Sequence, residues 1–452
     1  MILMKIDFIL PKTGDELGLF KIPMFRIPPH GLAVLAGATP DSEHDIRIID
    51  ENFEEINFDS DANIIAISIM TPSAVRGYTI ADIFKEKGKK VLIGGVHATV
   101  LPEEAKPHAH SVVVGEADHI WPKILDDIKN GKLKEYYYPE RISDLDTVPK
   151  PRLDLFNKNY AKGDLVQVGR GCPFNCDFCS VSKIFGQTYR HKSIARIVEE
   201  VKDLETKHFW FVDDNIGIDT KFTKELFRKL VSLNVRWSSQ ASVAIAHDDE
   251  LLKLAAESGC TALFIGFESP NQQSLKSVHK PHVAQTYKEV VKKLHDYGIF
   301  VLGAFIFGFD NEDRNCFQKT IDFIQYSEID LIQMSVLTPY PGTRLFEEMV
   351  QQKRMLHYDW SKYTCLNVVF KPKKMSVEEL QNGLWYSLYE VYRPTNLVRR
   401  WSKIFLDKRT WTILNIVSSS SFSPPSRKTL RFPIRKIVKP GYSKFKETYL
   451  NP

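Results

Sequence analysis

The chain is poor in several things. It has only six cysteines in 452 residues, too few and too unevenly spread for a disulfide framework. It has no apolar run of the roughly 18 residues that a transmembrane helix requires. Its start, MILMKIDFILPKTGDE, carries one early Lys and a short apolar stretch without a small-residue cleavage site. It reads as a first β-strand rather than a signal peptide, and the expectation is a cytoplasmic protein. Charge of one sign is also lacking: 61 Lys and Arg stand against 56 Asp and Glu, a net +5. That balance does not argue for nucleic acid as the partner of the whole chain. No internal repeat is visible, which excludes solenoids and propellers.

What charge asymmetry exists lies at the end. From Val398 to Pro452, 13 Lys and Arg face two acids, Asp407 and Glu447. Trp401, Phe405, Trp411, Phe422, Phe432, Tyr442 and Phe445 are interleaved with them. Such a segment either makes peripheral contact with an anionic membrane surface, which would favour a lipid-like substrate, or packs on the protein as a solvated extension. Nucleic acid is disfavoured here as well, because no binding module accompanies the charge. Ser418–Pro425 (SSSSFSPP) reads as a flexible break.

Residues 1–140 alternate strand and helix signals. Strands are expected at Lys5–Leu10, Asp45–Ile49, Ile64–Ser68, Lys90–Ile93 and Ser111–Val114, with helices such as Gly31–Ala38 and Ala74–Glu86 between them. This α/β pattern predicts a Rossmann-like, doubly wound parallel sheet. Its ligand should sit at the carboxyl ends of the strands. Proline-bearing residues 141–160 read as a linker, the signal starting at Pro139. A second alternating series, over residues 161–345, predicts six βα units, a partial (β/α)6 barrel rather than a closed eight-fold one. Its strands are expected at Leu165–Val168, His208–Val212, Val235–Gln240, Ala262–Ile265, Phe300–Ile306 and Leu331–Val336. Residues 346–452 read as a helical C-terminal region, for instance Ser376–Tyr392, ending in the basic tail.

Three of the six cysteines fall within eight positions, in Gly169-Arg170-Gly171-Cys172-Pro173-Phe174-Asn175-Cys176-Asp177-Phe178-Cys179. The spacing Cys-x3-Cys-x2-Cys places three thiolates on one loop just after the first barrel strand. Thiolates are the usual ligands of iron–sulfur clusters. Three of them can hold three irons of a cubane and leave the fourth open to a substrate. A zinc site would want a fourth ligand or a water, and His191 lies twelve residues on. Cys260, Cys316 and Cys365 are isolated and give no support for a second cluster.

Other strand ends carry polar groups. Glu268 ends the fourth strand beside Gly266, which permits close approach; it is either a cofactor contact or a carboxylate bound to local backbone. Asp213, Asp214 and Asn215 end the second strand, and either line the mouth or cap the next helix. Gln240 and Ser242 end the third. Tyr340-Pro341-Gly342-Thr343 follows the sixth and either closes the pocket or is plain turn chemistry.

The cysteine spacing, at this place in a partial barrel, resembles the radical S-adenosylmethionine (SAM) superfamily. The resemblance implies a [4Fe–4S] cluster on Cys172, Cys176 and Cys179, with SAM bound to the open iron. It implies SAM cleavage to a 5′-deoxyadenosyl radical, Phe178 packing near adenine, and Glu268 contacting SAM. The front domain resembles that of the cobalamin (B12)-binding radical SAM enzymes through Pro28-Pro29-His30-Gly31-Leu32, Ser68-Ile69-Met70-Thr71, Gly94-Gly95-Val96-His97 and Gly115-Glu116. Glycines there let backbone approach a corrin. The resemblance covers roughly residues 1–345. The chain departs from many cobalamin proteins in lacking Asp-x-His-x-x-Gly, so no His of that motif ligates cobalt, and the domain either binds cobalamin without it or binds no corrin.

The leading expectation is therefore cobalamin-dependent C-methylation of an unactivated carbon in a small-molecule substrate. Methylcobalamin would supply the methyl group, a second SAM would restore it, and an electron donor such as flavodoxin or ferredoxin would reduce the cluster. The alternatives are a non-methylating cyclase or oxidoreductase, and a non-catalytic iron–sulfur, cobalamin or zinc protein.

Overall fold

The computed structural model describes residues 4–13, 27–40, 44–156, 160, 163–401 and 442–450. Its strands in chain order are β1 (Met4–Leu10), β2 (His44–Asp50), β3 (Ile64–Ser68), β4 (Lys90–Gly94), β5 (Ser111–Val113), β6 (Tyr136–Tyr137), β7 (Asp164–Val166), β8 (Gly169–Arg170), β9 (Arg190–His191), β10 (His208–Ile216), β11 (Arg236–Ala241), β12 (Cys260–Glu268), β13 (Phe300–Phe307) and β14 (Leu331–Val336).

The first six form one parallel sheet in the order β2-β1-β3-β4-β5-β6. Central β3, Ile64-Ile65-Ala66-Ile67-Ser68, is apolar on both faces because helices cover both. Edge strand β2 instead alternates, with Asp45 and Arg47 outward and Ile46 and Ile48 inward. Helices His30–Gly37 and Trp121–Lys129 bury Leu32, Ala36, Trp121 and Ile124 against one face. Ala74–Glu86 buries Ala74, Ile80, Ala81 and Phe84 against the other. The strand order reverses between β1 and β3, and the ligand crevice of such sheets opens at that point.

The second sheet runs β14-β13-β12-β11-β10-β7, all parallel and each strand beside its sequence neighbour. This is the six-stranded partial barrel. Its helices start at side-chain caps: Asp219 accepts from Phe222 N at 3.0 Å and Asp248 from Leu251 N at 2.9 Å. The segment after Pro139 is not loose. Ile142, Leu145 and Val148 pack on Val34, and Arg152 N donates to Ala33 O at 2.9 Å.

Residues after β14 tie both sheets together. Trp360, Tyr363 and Val369 enter the core of the front domain, and Trp360 Nε1 donates to Glu104 at 2.8 Å. Helix Val377–Val391, started by a Ser376–Glu379 capping box, packs on the barrel through Leu380, Leu384, Leu388 and Val391. The two ends of the basic tail also pack on the barrel. Trp401 Nε1 donates to Asp330 O at 2.9 Å, and Tyr442 and Phe445 stack on Tyr386. Phe405, Trp411, Phe422, Phe432 and the Ser418–Pro425 break lie outside the described residues. Among the described residues no helix is long and apolar enough to cross a membrane.

Candidate active site

The cysteine loop is an arm closed at its base. β8 and β9 pair antiparallel, Gly169 opposite His191 and Arg170 opposite Arg190, so residues 171–189 project as one excursion. Gly171 has φ +91°, and a Cβ there would stand 2.4 Å from Thr188 O; only glycine fits. Cys172 N donates to Gly186 O at 3.2 Å and Cys179 N to Cys176 O at 3.0 Å. Asp177 knits the arm to the barrel: its carboxylate meets His279 Nδ1 at 2.9 Å and pairs with Arg344. Its N–H donates to Val278 O at 3.1 Å, and its carbonyl accepts from Leu345 N at 3.0 Å.

Cys172 and Cys179 are half-buried, Cys176 is buried, and all three are free. Burial pushes each thiol up, Cys176 to about 11. The charges of the other two sulfurs raise Cys176 further, while Lys280 opposes them. Thiolates gathered in this way need cations to compensate them. Among the described residues no three His, Cys, Asp or Glu side chains close on a single ion. A donor set of three thiols on one loop, without a fourth donor, suits a cubane larger than one ion. The residues present fit a [4Fe–4S] cluster.

Two residues beside the thiols form a buried ion pair. Lys280 Nζ donates to Glu268 Oε1 at 2.7 Å. Burial lowers the Lys280 ammonium, but Glu268 and the Cys176 and Cys179 sulfurs outweigh it, leaving the ammonium above its ordinary value. The pairing of β12 with β13 shifts between Gly266 and Glu268, and Glu268 takes φ +62°. A Cβ at Gly266 would lie 2.3 Å from Glu268 Oε1 and 3.3 Å from Lys280 Nζ. Gly266 therefore makes room for this pair. Lys280 carries no sequence signal of its own, lying twelve residues past Glu268, beyond the short helix Gln272–Ser277.

The neighbouring strand ends divide unexpectedly. Asp213 faces inward: its carboxylate accepts from Val168 N at 2.9 Å and Gly169 N at 2.5 Å. Burial pushes it up to about 7 against those two donors. It braces the base of the arm, neither contacting the cavity nor capping a helix, a cap supplied by Asp219. Asp214 lines the cavity instead, exposed to it, and its withdrawal from bulk water pushes its carboxyl up to about 6. Gln240 is exposed. Ser242 N donates to Asn215 Oδ1 at 2.8 Å, and its hydroxyl meets His282 Nε2 at 3.1 Å. Phe178 packs, partly buried, against the barrel core. Tyr340 donates to Tyr363 O at 2.9 Å, so it joins the strap that the residues after β14, with Trp360, Tyr363 and Val369, form onto the front domain.

Between the two sheets lies a mostly apolar cavity of about 560 Å³, within the ordinary size of a ligand site. Its front-domain wall holds Ser68, Met70, Gly94, Gly95, Val96, Gly115 and Glu116; its barrel wall holds Gln167, Gly169, Arg170, Val212 and Asp214. Gly95 has φ +94°, and a Cβ there would meet Ile69 O at 2.7 Å, so the turn presses against the end of β3. Gly31, also on the wall, would carry a Cβ without contact within 4 Å. Glycine-lined strand ends opening on a wide cavity are a cradle that fits a corrin. Thr71 is turned away: its hydroxyl meets His97 Nδ1 at 3.2 Å. His97 is buried away from the cavity and meets Glu104 through its other nitrogen at 3.1 Å. The wall does carry His30, which burial, with Lys192 and Arg170 nearby, pushes down to about 3.

Glu116 touches the cavity but is engaged across the domains. It accepts from Arg170 Nη1 at 3.0 Å and from Arg190 Nη2 at 2.5 Å. Arg170 also pairs with Asp118, and Arg190 also donates to Phe185 O at 3.0 Å. Burial raises the Glu116 carboxyl, yet the two guanidiniums hold it below the usual range. Both arginines belong to β8 and β9, so the front domain grips the stem of the cysteine arm.

Two family models match the chain: the Radical SAM superfamily over residues 166–324 and the B12 binding domain over residues 24–125. The chain is 36% identical over 350 residues to the bacteriochlorophyllide d C-12(1)-methyltransferase of Chlorobaculum tepidum, covering 75% of this chain and 76% of that protein. It is 31% identical over 425 residues to the bacteriochlorophyllide d C-8(2)-methyltransferase of the same organism, covering 88% and 91%. Among solved structures, the cobalamin-dependent S-adenosylmethionine radical enzyme OxsB with aqua-cobalamin bound superposes with a TM-score of 0.67. The match covers 99% of this chain and 80% of that one at 13% identity, a likeness of fold alone.

Proposed function

The chain belongs to the cobalamin-binding radical SAM family, and on that premise we propose that it adds a methyl group to an unactivated carbon of a large, mainly apolar ring system of the chlorin type. It is a radical SAM enzyme whose cofactors are a [4Fe–4S] cluster, SAM and cobalamin. When bound, the cluster with SAM supplies a hydrogen-abstracting carbon radical, and cobalamin supplies the methyl group. The observation that carries the reading is the shared cavity: one wall is the glycine-lined crevice of the front sheet, the other the stem of the cysteine arm.

The residues have separable tasks. Cys172, Cys176 and Cys179 would hold the cluster. The buried Lys280–Glu268 pair, with Gln240 and Ser242 at the next strand end, would meet the polar groups of SAM. Ser68, Met70, Gly94, Gly95, Val96 and Gly115 would bed the corrin. Asp213 holds the arm's backbone, and Glu116 fixes the arm relative to the front sheet. The apolar wall, with Leu10, Ile27, Leu35 and Phe53, excludes water and suits a ring system. The two bacteriochlorophyllide relatives support that substrate class.

The test is anaerobic turnover of the reconstituted protein with cobalamin, a chemical reductant and SAM carrying a CD₃ methyl group, offered bacteriochlorophyllide d. Product heavier by one CD₃ group supports the reading. Formation of 5′-deoxyadenosine with an unlabelled product would replace methyl transfer by a non-methylating reaction.

A further inference from the structure

The short helix Val181–Phe185 within the cysteine arm has a hollow on each side. Ile184 and Phe185 face the large inter-domain cavity. Ser182 and Lys183 face a second pocket of about 450 Å³, whose wall also carries Cys176 and Cys179. The two hollows differ in chemistry. The inner one is mostly apolar and would be filled by cofactors and substrate. The outer one is polar and open, and its rim holds the exposed cations Arg141 and Lys183 against one exposed acid, Glu347. Asp177, the other acid in the wall, lies buried and already paired with Arg344 and His279.

A cluster held by these thiols must receive an electron from outside, and transfer between proteins requires a short approach. The inner cavity cannot admit a protein. The outer pocket reaches two of the three thiols from solvent. Resting on the proposed function, we infer that this pocket is the docking surface of a small acidic one-electron carrier protein, with Arg141 and Lys183 steering it. The step balances simply: the reduced carrier loses one electron and the cluster gains it, with no bond made or broken. A surface of a few like charges mainly raises the rate of encounter, and its effect fades with salt.

The test uses the full chain with its cofactors reconstituted, comparing reduced flavodoxin with dithionite, a small reductant that needs no docking. In the Arg141→Glu, Lys183→Glu double variant the KM for flavodoxin should rise at least tenfold at low salt and lose its salt dependence. Dithionite-driven SAM cleavage should remain at the wild-type rate. Glu347→Lys should lower the flavodoxin KM. An unchanged flavodoxin KM, or an equal loss with both reductants, would overturn the docking surface. The dithionite arm separately reports whether the enzyme methylates, so a failure of the proposed function is distinguishable.

Discussion

Replacing Glu116 by Gln should cost stability and, more specifically, uncouple two halves of the reaction. The carboxylate bridges two arginines, all three side chains being at most 13% exposed. Removing one partner of a buried ion pair typically costs about 3–5 kcal/mol, because the partners' charges stay buried without compensation. Asp118 still pairs with Arg170, and Gln keeps one acceptor oxygen, so the loss should fall near about 3 kcal/mol. With about 2.1 cal/mol/K of unfolding entropy per residue, a 452-residue chain shifts by about 1 °C per kcal/mol, so thermal unfolding should drop by roughly 3 °C. The cycle with Arg190→Gln should give a coupling of about 0.5–3 kcal/mol. The carboxyl is held below its usual value, so this stabilisation is present above the ordinary Glu pKa and disappears as pH falls through the lower folded value. The functional signature is a ratio. The cysteines are untouched and Gln keeps the shape of Glu116 in the cavity wall, so 5′-deoxyadenosine should still form while methylated product falls away. A variant that melts within about 1 kcal/mol of wild type, or keeps the wild-type product ratio, would refute the clamp.

Cys176→Ala should abolish the cluster's visible absorbance and lower iron well below about four per chain, with SAM cleavage lost; normal iron content would contradict the assignment. Gly266→Ala places a Cβ 2.3 Å from Glu268 Oε1 and should cost about 1–3 kcal/mol, measured by chemical denaturation; a neutral result would mean the Lys280–Glu268 pair moves freely. His30 and His282 are both pushed down to about 3, chiefly by burial. Their neutral forms are favoured by folding, so stability is full above the ordinary His value and is lost as pH falls from about 6.5 toward 3. Each group contributes up to about 1.4 kcal/mol per pH unit. Melts from pH 7 to 5 should show this slope shrink in His282→Gln.

The fold was largely legible in the sequence. Ala74–Glu86, Ile64–Ser68 and Leu331–Val336 fall where the sequence places them, because apolar runs and helical spacing are local signals. Two-residue ladders such as β6, β8 and β9 have no period to read. The cysteines were legible by spacing alone. Their surroundings were not: Lys280 reaches Glu268 across the helix Gln272–Ser277, and Arg190 reaches Glu116 across 74 residues. Asp213 and Asp214 show the same limit at one-residue resolution. Adjacent side chains on a strand face opposite ways, so one braces backbone and the other faces the cavity.

The front domain borrows part of its interior. Trp360, Tyr363 and Val369, more than 200 positions beyond its last strand, pack among Ile65, Ile67, Ile80 and Phe84. A gene fragment ending before the strap would encode every strand of that sheet and still leave one face of its core open. The two halves therefore cannot be exchanged as cassettes between relatives without the strap that matches them. Changes at Trp360 or Tyr363 should covary with the front domain's interior rather than with the barrel that precedes them in the chain.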